Sequence, residues 1–517
     1  MMAPNLDTLA VELIAEILKG ADLRTISSIG LTSRRLYHIV KTNRKLWTDA
    51  CDILDLPLQT GEIFATIPTE SILPLALRAV SIQTRLENPA SIPRIRRIHL
   101  GFISSWKLLP GGEWRLCTQD NNLWVVNNKE ESKALPAVAT FVAPSTIRCS
   151  AFEALGNREM RLAVGIGVDR DREETDRPQV SIIHLRFPVQ DSSQARDRPL
   201  VISVKSYSLP ATPSFVSLCR PLVLLKFRDT AGVRLASFRA AILDCEANVG
   251  VHLEAQPPTF EEVRLPRQGT SWEWLQVHFH PVLQKLVLRA EIRVDAYATN
   301  PPPQTVVVLA DMPTLSQPIE VAPNTAAPNL FQTPEPLTFT HMHLEAISAP
   351  PLPLPLPSRY VSITEYATND AQEFFSLCLD TDAPTSHDGE LVAFLVHRAY
   401  NDCTHLCSSD ICHNSSRFQE AIDRQAVVTY VNRAFTRVSR LMIPLPPEAL
   451  PKSTQDPEKK LSFESTLLEV EMNHGVLSMS VIWSHRAVRE SADSGRAFFG
   501  PRTHATWSFS SFYLLQY

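Results

Sequence analysis

From about Ile98 to Tyr517 the chain is written in short apolar runs separated by turn residues, with almost no helical period. The clearest unit is Trp106–Cys117, then Gln119-Asp120-Asn121-Asn122, then Leu123–Val126. Pro110-Gly111-Gly112 and Asp120-Asn121-Asn122 mark turns, because these residues tolerate the backbone angles that tight turns demand. Comparable runs follow at Arg161–Val168 with Gln179–Phe187, and at Leu222–Phe227 with Arg234–Cys245. Trp272–Phe279 leads into Lys285–Val294 and Thr305–Ala310, and two further sets lie within Arg359–His397 and Ala426–Leu515. This pattern constrains residues 98–517 to an all-β body, a propeller or a sandwich, with roughly six or seven sets of strands. A last strand near Tyr517 that pairs with an early one closes a ring and removes exposed sheet edges.

Three inserts interrupt the pattern. Asp169–Arg177 (DRDREETDR) is charged and lacks apolar residues, which suits a solvated hairpin tip. Residues 301–357 are proline-dense at both ends, and Pro446–Lys460 is polar; both are expected to be extended and polyproline-like.

The N-terminal text differs. Leu9, Leu13, Ile17 and Leu18 recur at helical spacing, with Glu12 and Glu16 opposite them. Asp7 or Thr8 suits the N-cap of this helix, and Gly20 ends it. Asp22 suits the cap of a second helix carrying Leu23, Ile26 and Ile29. A third carries Leu31, Leu36, Ile39 and Val40 against Arg34, Arg35 and Lys41, and Leu46-Trp47 closes the unit. Three short helices in so few residues bury little surface for independent stability, so part of their apolar surface is expected to face a partner. Between them and the body, residues 52–97 read as a helical connector. Pro57, Pro68, Pro74 and Pro89 predict several short helices there rather than one long one.

The totals narrow the partners. A chain of 517 residues exceeds what one hydrophobic core serves, so two or more units are expected. The formal net charge of -5 gives no large basic field for nucleic acid or an acidic membrane. Glu12 and Glu16 cut the apolar start that a signal peptide needs, and no run has the length of a membrane span. Nine cysteines without a framework pattern suit free thiols in a reducing compartment, the cytoplasm or nucleus, which makes the Asn414-Ser415-Ser416 sequon incidental.

The N-terminal series resembles an F-box. The resemblance rests on order: Leu9, Glu12-Leu13, Ile17-Leu18, Asp22-Leu23, the Leu36 segment after the arginine pair, then Leu46-Trp47. Two positions depart from the family, which usually has Pro where this chain has Ala10 and often Cys where it has Thr32 and Ser33. The PGGEWRL and LWVVN text of the body is also similar to the degenerate propeller blades that follow the F-box in many fungal F-box proteins. The resemblance implies an α+β multidomain chain: an F-box at 1–51, the connector at 52–97 and a propeller-like substrate-binding domain at 98–517. It implies docking on a Skp-type adaptor, and through it on cullin and RING subunits, by Leu9, Glu12, Leu13, Ile17, Leu18, Leu23, Ile26, Leu36, Leu46 and Trp47. The implied activity is that of a non-catalytic substrate receptor of a ubiquitin ligase for a protein target, with no cofactor. An adaptor-bound scaffold without a ligase role and a propeller-type enzyme are the alternatives.

Candidate chemistry elsewhere is weak. Cys403, His405, Cys407, Cys412 and His413 supply zinc-type donors, but in one short loop and without the paired knuckles of a zinc site, so reduced thiols are the expectation. The carboxylates of Asp169–Glu173 alternate with arginines and lack the glycine of a calcium loop. Gly165-Ile166-Gly167 reads as a strand with a close neighbour rather than a phosphate cradle. Proline alternation at 350–357 reads as a spacer. No nucleophile elbow, zinc helix or phosphate-binding loop occurs.

Overall fold

The computed structural model describes residues 6–88 without a break, most of 94–255, and beyond that mainly strands up to residue 516. The head contains helices α1 (Val11–Ile17), α2 (Leu23–Gly30), α3 (Arg34–Thr42), α4 (Arg44–Thr48) and α5 (Thr69–Glu87). Asp22 caps α2 as its position predicts, accepting from the Thr25 amide at 2.7 Å. Ser33 caps α3 through the Leu36 amide.

The first cap differs from expectation. Leu6–Thr8 form a turn of 3-10 helix, and the N-cap of α1 is Ala10, which has no side chain to cap with. The Asp7 carboxylate is engaged elsewhere, accepting from the Ser33 hydroxyl at 2.7 Å. Arg35 reaches back to the carbonyls of Asp7 and Leu9. A long-range contact has thus taken the group that local spacing assigned to a cap.

Residues 69–87 form one continuous helix with Pro74 inside it, where prolines predicted several short ones. An internal proline costs about 3 kcal/mol. Its neighbours Ile72 and Leu73 are buried in the head core, and each such side chain returns about 1.5–3 kcal/mol. Packing therefore outweighs the break. Pro68 at the N-cap and Pro89 just past the C-cap bound the helix, as residues that cannot continue one. One apolar cluster joins all of these helices, from Ile14 and Leu18 through Ile26, Val40 and Trp47 to Leu73 and Ala76. The Trp47 indole N–H donates to the Val40 carbonyl at 2.8 Å inside it.

The described remainder is a large β body of seven sheets, antiparallel except at two pairings. Each of the first five is dominated by strands consecutive in sequence. The first joins Ser105–Leu108, Trp114–Gln119, Asn122–Asn127 and Phe141–Val142. The second joins Ile147–Gly156, Glu159–Ile166, Gln179–Arg186 and Leu200–Ser208; the third is built on Pro213–Cys219, Leu222–Phe227, Phe238–Asp244 and Val249–Ala255. The fourth joins Thr270–Phe279, Lys285–Val294, Gln304–Asp311 and Phe339–Leu344, and the fifth Tyr360–Ala367, Glu373–Asp380 and Leu391–Arg398. Thr404–Cys407, Gln425–Val431 and Val438–Pro444 make the sixth. The run read as one last set is therefore divided, because Thr466–Asn473, Val476–Trp483 and Ser508–Gln516 belong to a seventh sheet with Ser416–Arg417.

That seventh sheet takes its outer strand from the start of the body. Arg94–Ile98 pairs antiparallel with Ser508–Gln516, from Arg94 opposite Gln516 to Ile98 opposite Phe512. The early-to-late pairing expected from sequence is present, and its first strand begins inside the segment read as connector. The strand read at Thr305–Ala310 is present as Gln304–Asp311, and the proline-dense insert needs correction in part, since Phe339–Leu344 pairs with that strand within the fourth sheet. Asp169–Arg177 and Pro446–Lys460 lie outside the described residues.

Apolar clusters fill the spaces between the first four sheets, taken in order. Trp114, Leu116 and Val125 of the first sheet pack with Leu162, Val164 and Leu185 of the second. Ala163, Val180 and Tyr207 on the second sheet's other face meet Val223, Leu225 and Phe227 of the third. Leu224 and Ile242 of the third meet Val277 and Leu288 of the fourth. Gly165 sits where the second and third sheets approach closely, since a Cβ there would lie 2.5 Å from the Cys149 sulfur and 2.8 Å from the Pro213 ring. This is the close neighbour expected of that glycine.

Head and body meet along residues 58–66. Gly61, with φ of +84°, lies so near Arg158 that a Cβ would fall 2.5 Å from its carbonyl carbon. Gly111, at φ +91°, lies equally close to the Leu58 carbonyl, and the Gly156 amide donates to the Gly61 carbonyl at 3.0 Å. Thr60 donates to the Pro110 carbonyl at 2.6 Å, and the Arg158 guanidinium bonds Gln59. Helix α5 also packs against strand Val438–Pro444.

Candidate functional site: the outer face of the head

The head divides the residues singled out from sequence into two groups. Leu18, Leu23, Ile26, Leu36, Leu46 and Trp47 are buried in its core. Leu9 is half-buried, and Glu12 is exposed in the first turn of α1, where a carboxylate complements the helix N-terminus. Leu13 and Ile17 are 54% and 59% exposed.

Leu9, Leu13, Ile17 and Leu18 therefore do not share one face. The inward pair on α1 is Ile14 with Leu18, and the outward pair is Leu13 with Ile17. Both pairs have i, i+4 spacing, about 100° apart on a helix, so periodicity alone assigns both to one wide apolar arc. Only the packing of α2 and α3 decides which pair turns inward. Leu31 also departs from expectation: it follows α2 as its C-cap and is 63% exposed, outside the buried series Leu36, Ile39 and Val40 of α3. Val11 and Tyr37 add further exposed apolar surface that the sequence reading did not single out. Tyr37 was detectable, since it lies off the spacing of the buried α3 residues.

The surrounding charges are local. Lys19 pairs with Glu16 at 3.7 Å, an exposed bridge worth little. Arg24 pairs with Glu87 at 3.1 Å and ties α2 to α5. Arg44 donates to the carbonyls of Ile67 and Phe64 and lies over the Phe64 ring. Nothing in this group converges as an acid, a base and a nucleophile would.

In the body, among the described residues, no group of three or more His, Cys, Asp or Glu stands close enough to hold a metal ion. Of the Cys403–His413 stretch only Thr404–Cys407 is described, as a strand; the remainder and Asp169–Glu173 lie outside the described residues. Cys51, Cys117, Cys149, Cys219 and Cys245 are free thiols, and burial pushes the Cys149 thiol up to about 12 and the Cys245 thiol up to about 11. Such thiols are poor nucleophiles. Glu159 is held below the usual carboxylate range, chiefly by its hydrogen bond with Arg186, with a further contact to His184. No described helix is long and apolar enough to cross a membrane. No family model matches the chain, and no curated protein matches it either.

Proposed function

We propose that this chain is the substrate-recognition subunit of a Skp-cullin-F-box ubiquitin ligase. The observation that carries the reading is the pair Leu13 and Ile17, held outward on α1 while Leu18, Leu23, Ile26, Leu36, Leu46 and Trp47 of the ordered F-box-like series close the core beneath it. Large apolar side chains placed side by side on a small helical surface mark an interaction site. Burying each against an adaptor contributes about 1.5–3 kcal/mol, so a few such anchors suffice for stable docking.

The seven sheets are read as the blades of a β-propeller. Three features support this: short meanders in sequence order, apolar clusters between successive sheets through the first four, and the first body strand completing the sheet of the last. The body presents a protein target, and the ligase gains from proximity: holding a target lysine near the transferring enzyme raises its effective concentration. The chain itself breaks no bond.

The test is capture of a Skp-type adaptor and cullin by the full chain and by its Leu13→Glu/Ile17→Glu variant. Wild type is expected to capture both, and the variant neither, at unchanged melting temperature. Capture of adaptor without cullin would favour a scaffold, and capture of neither by wild type would end the reading.

A further inference from the structure

Between Asp22 and Asp49 the sequence contains no acidic residue, yet it carries Arg24, Arg34, Arg35, Lys41, Arg44 and Lys45. The fold absorbs half of these cations. Arg24 pairs with Glu87, Arg35 donates to the carbonyls of Asp7 and Leu9, and Arg44 donates to those of Phe64 and Ile67. Arg34, Lys41 and Lys45 make no ion pair among the described residues.

Arg34, Tyr37, His38 and Lys41 follow the i, i+3, i+4, i+7 spacing of one helix face, opposite the buried Leu36, Ile39 and Val40. The Lys41 ammonium lies 5.9 Å from the centre of the Tyr37 ring. That arrangement keeps the charge at the surface beside an exposed aromatic. The start of α3 is tied to the segment that leads into α1, because Ser33 donates to the Asp7 carboxylate and Arg35 to the carbonyls of Asp7 and Leu9.

We infer that the outer face of α3, Arg34–Tyr37–His38–Lys41, docks on an acidic protein surface. This rests on the proposed function and adds to it: the adaptor that takes Leu13 and Ile17 presents carboxylates to α3. Charge complementarity decides the chemistry of the occupant, since no carboxylate of the helix balances these cations. A protein surface fits better than a nucleic acid. The cations are few, Lys41 lies beside exposed Tyr37, and the whole chain carries net charge -5.

The experiment compares the full chain with an Arg34→Glu/Lys41→Glu variant in binding to the Skp-type adaptor across a salt series. Both positions lie outside the core, so melting should not move, and Arg34→Gln/Lys41→Gln provides a milder control. Reversal is expected to weaken binding about tenfold at low salt, chiefly through slower association, with the deficit shrinking as salt rises. Neutralisation should give a smaller loss of the same kind.

Unchanged affinity in the reversed variant, with Leu13→Glu still abolishing binding, would overturn this inference and leave the ligase reading intact. Failure of wild type to bind the adaptor would overturn both. Binding of duplex DNA by wild type that the reversal removes, with adaptor binding unaffected, would assign the face to nucleic acid instead.

Discussion

Head and body solve the burial problem in different ways. The head gathers five helices around one cluster and leaves Leu13, Ile17 and Leu31 more than half exposed. In the body, apolar residues of one sheet lie against those of the next through the first four sheets, so the inner strands of the second sheet are covered on both faces. In the second sheet, Ala163 faces one neighbour and Leu162 the other. Exposed apolar side chains are not confined to the head, since Leu200, Ile202 and Val204 on the outer strand of the second sheet are 46%, 40% and 44% exposed.

The difference breaks most sharply at the two cores. Trp47→Ala and Phe227→Ala each remove a fully buried aromatic, and each is expected to cost about 3–5 kcal/mol. Hydrogen exchange resolved by segment should show Trp47→Ala loosening α1–α5 first, and Phe227→Ala loosening the second and third sheets while α1 and α2 stay protected. Equal loss of protection throughout in both variants would mean that head and body share one core.

The seam gives the next largest effect. Gly61→Ala places a Cβ against the Arg158 backbone at a φ that L side chains rarely adopt, with an expected cost of about 1–3 kcal/mol. Protease cleavage within 58–66 should then precede unfolding of either unit; resistance equal to wild type would show that the seam yields without cost. The smallest change is at Ala10. Its φ is -63°, the angle proline enforces, so Ala10→Pro should stabilise the head by about 0.4–1 kcal/mol. Lower thermal stability would show that the segment before α1 needs the freedom of a non-proline residue.

Much of this architecture is legible in the chain. Asp22, followed by Leu23 and Ile26, fixes a cap and a buried face with local information alone, and Gly165 declares a close approach because nothing larger fits beside Cys149. The β meanders follow from alternation and turn residues. What was hidden depends on distant partners. Asp7 is drawn from capping by Ser33, Pro74 is tolerated because Ile72 and Leu73 are buried, and Phe339–Leu344 pairs in a sheet from within a proline-framed segment. The candidate site was legible as a list of residues but not as a surface, since the choice between Leu13/Ile17 and Ile14/Leu18 is made by α2 and α3.

The pairing of Arg94–Ile98 with Ser508–Gln516 also has a consequence for synthesis. A ribosome adds about 5–20 residues per second, so the first body strand waits on the order of half a minute for its partner. During that interval the second and third sheets, whose strands are neighbours in sequence, can already form. The seventh sheet, and with it the join between the two ends of the body, is the last to be completed.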